Sequence, residues 1–199
     1  MPEALAGAAA SSAHFASQGP LLRLYHGSDE AIGHPAVGFN KGFADLGRGF
    51  YLTDDSAVAQ SRARSRARAT GAAAGVVSAF GFDEDVLPWI TLGSDAPSTV
   101  APIGANPLFG LRFAESREGI VAWMNYIMAC RAGHTSLEGA GEPAVVRAWI
   151  ATEEVEMACS GLVSPEELAG LIVPSELVVQ YCFRNQALID EHLVFMGAE

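Results

Sequence analysis

Short apolar runs alternate along the chain with stretches that are dense in glycine and proline. Runs of roughly four to eight residues that are rich in aliphatic, β-branched and aromatic side chains are typical of β-strands. On this basis we expect strands over residues 21–27, 49–53, 76–82, 144–150, 177–183 and 188–195. The glycine- and proline-rich stretches 29–49 and 88–110 are expected to be loops.

Three segments carry helix signals. The run Thr53–Ser56 (TDDS) opens a helix over residues 56–69, and any of its four residues can cap that helix. Residues 118–129 place apolar side chains at helical spacing. A third helix is expected to begin at Ser164, with Pro165 at the first helical position. Strands and helices are thus mixed without regular alternation, which predicts the α+β class rather than a regular βαβ winding.

The composition is that of one folded domain. Half of the 199 residues are hydrophobic, which is enough for one core and little for two. We expect a flexible N-terminal extension over residues 1–20, which are rich in alanine, serine and glycine, and a single domain over residues 21–199. No apolar run approaches the roughly 18–20 residues of a membrane helix, so no membrane partner is expected. The extension lacks the basic start of an export signal, which favours a cytoplasmic location.

Charge and cysteine content narrow the classes of partner and site. The net charge is −11, and an acidic surface repels the phosphates of nucleic acids. A small ligand or a protein surface is therefore the expected partner. The three cysteines Cys130, Cys159 and Cys182 are widely spaced, which predicts free thiols in a reducing compartment rather than disulfides or zinc ligands. The histidines also lack the spacing of a metal site, so no metal is expected.

Three residues stand where a strand could contact a ligand. His26 lies near the end of the first expected strand and is followed by Gly27; imidazole offers a donor and an acceptor, and glycine lets a ligand approach the backbone. Tyr51 could present a flat ring to an aromatic ligand. Gln180 interrupts an apolar strand, where a buried amide needs a hydrogen bond. Each residue also has a structural interpretation: a structural histidine, a packing tyrosine, and a glutamine exposed at a sheet edge.

The helix expected over residues 56–69 carries four arginines at alternate positions: Arg62, Arg64, Arg66 and Arg68. At about 100° per residue these form two pairs on neighbouring faces. The four side chains are either a solvated helix face or an edge that binds an anion or a target.

Three segments together resemble a known family. They are Leu24–Ser28 (LYHGS), Asp45–Asp55 (DLGRGFYLTDD) and Gln180–Phe183 (QYCF). This pattern is similar to a bacterial family of small ADP-ribosyltransferase-like domains, formerly of unknown function, in the clan of diphtheria toxin and the poly(ADP-ribose) polymerases. The resemblance extends over about residues 22–195. It implies an α+β fold with a split β-sheet, an NAD cleft and flanking helices.

The resemblance also implies roles for individual residues. His26 would hydrogen-bond the ribose on the adenosine side of NAD, and the backbone of Gly27 would contact the nicotinamide amide. Tyr51 would stack on the nicotinamide ring, and Gln180 would occupy the third catalytic position. Ser28 would add a ribose contact.

Further positions follow from the same motifs. Tyr25 belongs to the implied NAD-binding segment, and Asp45 and Gly49 are expected to shape the loop before the Tyr51 strand. The catalytic set implied by the resemblance is thus His26, Tyr51 and Gln180, with NAD as co-substrate and no metal.

Gln180 departs from the clan, which places a glutamate there. A carboxylate stabilises a developing oxocarbenium charge better than a neutral amide, so either slow transfer or a different activation of the acceptor is expected. Glu153 or Glu154 could supply a carboxylate if the fold brings either into the site. The implied activity is a mono-ADP-ribosyltransferase, a glycosyltransferase-class enzyme with NAD glycohydrolase as a side activity. The alternative is a non-catalytic NAD-binding or protein-interaction module on the same fold.

The resemblance implies partners as well. ADP-ribose would pass to a macromolecular acceptor, which the acidic charge suggests is a protein rather than a nucleic acid. A role as the toxin of a toxin–antitoxin or defence pair, with an antitoxin protein as partner, is a further expectation.

Overall fold

The computed structural model describes residues 20–38, 45–94, 108–137 and 140–199. The extension expected over residues 1–20 lies outside the described residues, apart from Pro20. The described strands are β1 (Leu22–Ser28), β2 (Phe50–Thr53), β3 (Val76–Phe82), β4 (Trp89–Leu92), β5 (Gly110–Phe113), β6 (Val145–Trp149), β7 (Val179–Phe183) and β8 (Leu193–Ala198). The helices are α1 (Ser56–Thr70), α2 (Arg117–Arg131), α3 (Thr152–Cys159), α4 (Pro165–Leu168) and α5 (Gln186–His192).

These eight strands form one mixed sheet in the order β4-β5-β6-β7-β2-β1-β3-β8. The β4–β5 and β5–β6 pairs are parallel, and the remaining neighbours are antiparallel. The chain is therefore an α+β protein, as the mixed order of apolar patterns predicted. In the described part of the chain, no helix is both long enough and apolar enough to cross a membrane.

The sheet narrows to a single pairing between β1 and β2. These strands pair only at Tyr25 and Thr53, whereas β1 pairs with β3 at seven positions and β2 with β7 at four. The sheet thus consists of two halves, β4-β5-β6-β7-β2 and β1-β3-β8. Strands β1 and β2 separate from each other next to His26, and we call this place the parting of the sheet.

Helix α1 packs on one face of the β1-β3-β8 half. Its buried positions are small: Ala59, Ala63 and Ala67. A Cβ on Gly27 of β1 would overlap the carbonyl oxygen of Ala59, so glycine is what allows strand and helix to approach this closely. The Asp55 side chain caps the helix by accepting from the backbone N–H groups of Ala57 and Val58.

One prediction over the outer part of the sheet was wrong. The stretch 88–110 was expected to be a loop, but β4 and β5 lie at its two ends, while residues 95–107 fall outside the described part. The four-residue run of β4 lies between Pro88 and Gly93, and its parallel pairing with β5 is a long-range contact that no local pattern reports.

The end of the chain and one connection also differ from expectation. Residues 188–195 were predicted as a strand, but they begin inside α5 and enter β8 only at Leu193. The Asn185 side chain caps α5 by accepting from the backbone N–H of Leu188, and Leu188 and Ile189 turn inward together, which suits a helix better than an alternating strand. Helix α3 was not predicted.

Candidate functional site

A cavity of about 90 Å³ lies where the two half-sheets part, beside the first turns of α1. Its lining comprises Tyr25, His26, Gly27, Tyr51, Leu52, Thr53, Ala59, Arg62, Ile150 and Gln180. Five residues that the resemblance implied for the NAD site therefore meet at one place: Tyr25, His26, Gly27, Tyr51 and Gln180. They come from β1, β2 and β7, so the fold brings together positions more than 150 residues apart in the chain.

His26 is held by the strand across the parting. Its Nδ1 lies 2.8 Å from the backbone carbonyl oxygen of Tyr51. Because a carbonyl only accepts, Nδ1 carries the proton, and Nε2 of the neutral ring is left as an acceptor. The imidazole also stacks on the Phe50 ring, with 4.7 Å between the centroids. Among the described residues, Nε2 has no hydrogen-bond partner.

The environment keeps this imidazole neutral. Burial lowers the pKa of His26 and outweighs the opposing effect of the hydrogen bond to the Tyr51 carbonyl. The positive charge of Arg62 lowers that pKa further. At neutral pH His26 is therefore a neutral ring with a hydrogen-bond acceptor and not a cation.

Tyr51 is fixed at its hydroxyl end by the loop that precedes its strand. The hydroxyl donates to the Gly47 carbonyl at 2.6 Å and lies 3.1 Å from the Leu46 backbone N–H, which donates to it. Burial raises the pKa of the Tyr51 phenol, so it stays protonated. Only 6% of the residue is exposed. Its position is thus rigid, and its hydroxyl is already engaged within the protein.

Two arginines that the sequence did not indicate anchor this loop. The Arg184 guanidinium, 3% exposed, donates to the Leu46 carbonyl, to the Tyr126 hydroxyl at 2.8 Å and to the Thr135 carbonyl at 3.2 Å. Arg131, at the end of α2, lies 2.6 Å from the Asp45 carboxylate. No local signal identifies them, because their partners lie in other segments of the chain.

Asp45 was expected to shape the loop, and its ion pair with Arg131 ties the loop to α2. Gly49 lies outside the cavity lining, and its role is close packing: a Cβ there would overlap the Cys182 sulfur and lie 2.8 Å from the Phe183 carbonyl oxygen. Ser28 also lies outside the lining; it is buried, and its hydroxyl donates to the Asp29 carboxylate at 3.0 Å.

Gln180 lies in the middle of the sheet. It pairs with Thr53 of β2 on one side and Ala148 of β6 on the other, and it is 4% exposed. It is therefore not the edge-exposed glutamine that the sequence left open. Its Nε2 donates to the Trp149 carbonyl at 3.2 Å, while its Oε1 has no hydrogen-bond partner among the described residues.

The lining contains no carboxylate within the described ranges. Glu153 and Glu154 lie in the first turn of α3 and are not among the lining residues. The charged group of the lining is Arg62, from α1. The cavity lining thus includes a histidine, a glutamine, aromatic residues and one cation.

No group of three histidine, cysteine, aspartate or glutamate side chains is arranged to hold a metal ion in the part of the chain that the structure describes. Cys182 is fully buried, and burial raises the pKa of its thiol, which suits a core residue rather than a nucleophile.

Comparison with known protein families gives a match over the first part of the domain. A family model described as "Protein of unknown function (DUF3990)" matches residues 22–94. This segment runs from β1 to the end of β4 and contains His26, Tyr51 and Arg62 but not Gln180. No curated protein and no solved structure matches the chain.

Proposed function

We propose that the cavity binds NAD and that the protein is a mono-ADP-ribosyltransferase with an ADP-ribosyltransferase-like split sheet. One observation carries the proposal: His26, Tyr51 and Gln180, from three separate strands, line one cavity where the half-sheets part. The sequence resemblance implies the same three residues.

The free hydrogen-bonding atoms suit the two riboses of NAD. The Nε2 of His26 is an acceptor for a ribose hydroxyl on the adenosine side, and the Oε1 of Gln180 is an acceptor for a hydroxyl of the nicotinamide ribose. Tyr51 offers an aromatic surface for the nicotinamide ring. Because the cavity is only about 90 Å³, it would enclose part of NAD, and the remainder would extend along the parting of the sheet.

In the proposed reaction, the bond between C1′ of the ribose and the nicotinamide nitrogen breaks. The electron pair leaves with nicotinamide, which departs neutral, and positive charge develops on the ribose. A nucleophile on the acceptor then forms the new bond to C1′ and loses its proton, or water does so in the glycohydrolase side reaction. Gln180 offers a dipole where a carboxylate would offer a full charge, so slow turnover is expected.

Incubation with NAD labelled in its adenylate phosphate, together with a cell lysate, tests this proposal. Wild-type protein should transfer label to macromolecules and release nicotinamide. His26→Ala should abolish both, whereas His34→Ala, at an exposed position outside the lining, should preserve them. The proposal fails if wild-type protein yields neither product while an established transferase works in parallel.

A non-catalytic NAD-binding or protein-interaction module is the second candidate. The observation that favours it is a lining without a carboxylate among the described residues. Calorimetry combined with a nicotinamide-release assay separates the two candidates. NAD binding without turnover, unchanged by Gln180→Glu, supports the module; measurable turnover by the wild type excludes it.

The resemblance also supports a role as the toxin of a toxin–antitoxin or defence pair, acting on a protein acceptor in the cytoplasm, where NAD is available. Induced expression should then slow cell growth, and His26→Ala should relieve the effect. Growth that is indifferent to wild-type expression would argue against this role.

A further inference from the structure

The cation in the cavity lining belongs to a helix that carries four arginines, yet these four differ in their surroundings. Arg62 lines the cavity, whereas Arg64, Arg66 and Arg68 do not. The guanidinium of Arg66 lies 3.5 Å from the Asp29 carboxylate. Arg62 has neither an ion pair nor a hydrogen bond of its side chain with any described residue. Its five N–H donors are therefore available at the mouth of the cavity.

Arg64 and Arg68 of the same helix also have no ion pair with a described residue, so what distinguishes Arg62 is its place in the cavity lining. The positive charge of Arg62 also acts on a residue of the cavity lining, because it contributes to lowering the pKa of His26. The position of Arg62 thus directs a positive charge toward a site that holds no described negative group.

The start of α1 does not provide this positive character. Its backbone N–H groups at Ala57 and Val58 already donate to the Asp55 carboxylate, and that carboxylate offsets the positive end of the helix dipole. The lining residues of α1 are Ala59 and Arg62, about one turn apart. An anion at this place would therefore be bound by the Arg62 side chain.

We propose that Arg62 binds the pyrophosphate of the dinucleotide, which makes the site selective for a diphosphate-bearing ligand. This inference rests on the proposed function. With one ribose at His26 and the nicotinamide ribose at Gln180, the pyrophosphate that connects them would pass between the two, along the edge that α1 covers. A guanidinium presents paired N–H groups that match two phosphate oxygens, and such charge-assisted bonds are stronger than neutral ones.

The test measures NAD affinity by calorimetry at low and at high salt for the wild type, Arg62→Gln and Arg64→Gln. Arg64 is the matched control because it is exposed on the same helix and lies outside the lining. At low salt Arg62→Gln should weaken NAD binding by about five- to tenfold, and Arg64→Gln by less than about twofold. The loss in Arg62→Gln should shrink at high salt, because screening already weakens the wild-type contact.

Two results would overturn the inference while leaving the proposed function intact. One is an Arg62→Gln protein that binds NAD within twofold of the wild type at low salt. The other is a loss that is equal at both salt concentrations, which would indicate a disturbed cavity rather than a missing charge. Wild-type protein that binds no NAD would instead overturn the proposed function, and the inference with it.

Discussion

His26 and Tyr51 are joined across the parting of the sheet by a hydrogen bond of 2.8 Å from the imidazole Nδ1 to the backbone carbonyl oxygen. It lies next to the single backbone pairing of β1 with β2, at Tyr25 and Thr53. The bond fixes the tautomer of His26, so that Nε2 is the acceptor. His26 and Tyr51, which we propose as two residues of an NAD site, are therefore held relative to each other by this hydrogen bond without a ligand.

The protonation of His26 should make the fold sensitive to mild acid. Its pKa in the folded protein lies below the ordinary value of 6.5 because the ring is buried. As pH falls through 6.5, the unfolded chain takes up a proton that the folded protein resists. The contribution of the neutral His26 to the free energy of unfolding is therefore fully present above about pH 6.5. It is lost as the pH falls from there through the folded-state pKa of His26.

Thermal unfolding between about pH 8 and pH 5 measures this effect. The melting temperature of the wild type should fall toward acid more steeply than that of His26→Gln, which lacks the titrating group. His34→Gln, at an exposed position, should retain the wild-type slope. Equal slopes for the wild type and His26→Gln would show that another group controls the acid response.

Gly27→Ala should disrupt the contact between β1 and α1. The added Cβ would overlap the Ala59 carbonyl oxygen, and overpacking of this kind costs about 1–3 kcal/mol or more. Gly33→Ala is the matched control, because a Cβ there meets nothing within 4 Å, so it should change stability by no more than about 1 kcal/mol. Urea unfolding of both variants decides; equal stabilities would mean that α1 is free to move away from β1.

Tyr51→Phe should destabilise the protein while keeping the ring. Loss of the hydroxyl leaves the Leu46 N–H and the Gly47 carbonyl without this partner, at an expected cost of about 1–3 kcal/mol. Tyr25→Phe should change stability by less than about 0.5 kcal/mol, because its hydroxyl has no hydrogen-bond partner among the described residues. Chemical denaturation tests the pair, and a neutral Tyr51→Phe would contradict the anchoring role of the loop.

Arg184→Met should lower the stability of the protein more than the control substitutions Gly33→Ala and Tyr25→Phe. The substitution removes donors to the Leu46 and Thr135 carbonyls and to the Tyr126 hydroxyl, and we expect a loss of about 2–4 kcal/mol in the free energy of unfolding. Arg64→Met, on the exposed face of α1, should stay within about 0.5 kcal/mol of the wild type. A small effect at Arg184 would mean that the loop before Tyr51 is held by other contacts.

The elements nearest the proposed site were predictable from local sequence. The strands around His26 and Tyr51 are short apolar runs that end at polar or glycine positions, and α1 begins at a clear aspartate cap. Such signals depend only on neighbours in the chain. The run at residues 188–195 misled because the Asn185 cap and two adjacent buried residues together favour a helical turn before the strand begins.

Other parts of the site depend on contacts that a sequence does not contain. The sequence alone allows Gln180 to lie at a sheet edge, and only the position of β7 between β6 and β2 excludes this. Arg62 looks like the other arginines of α1 in the sequence, and only the packing of the helix brings it to the cavity. Arg184 acts through the Leu46 carbonyl, 138 residues away in the chain.

A crystal structure of the protein equilibrated with millimolar NAD would show whether the cavity binds the dinucleotide. We expect the nicotinamide ring against Tyr51, a nicotinamide-ribose hydroxyl about 3 Å from the Gln180 Oε1, and a second ribose hydroxyl at the same distance from the His26 Nε2. A cavity that stays empty under these conditions, or NAD bound at a different surface, would contradict this expectation.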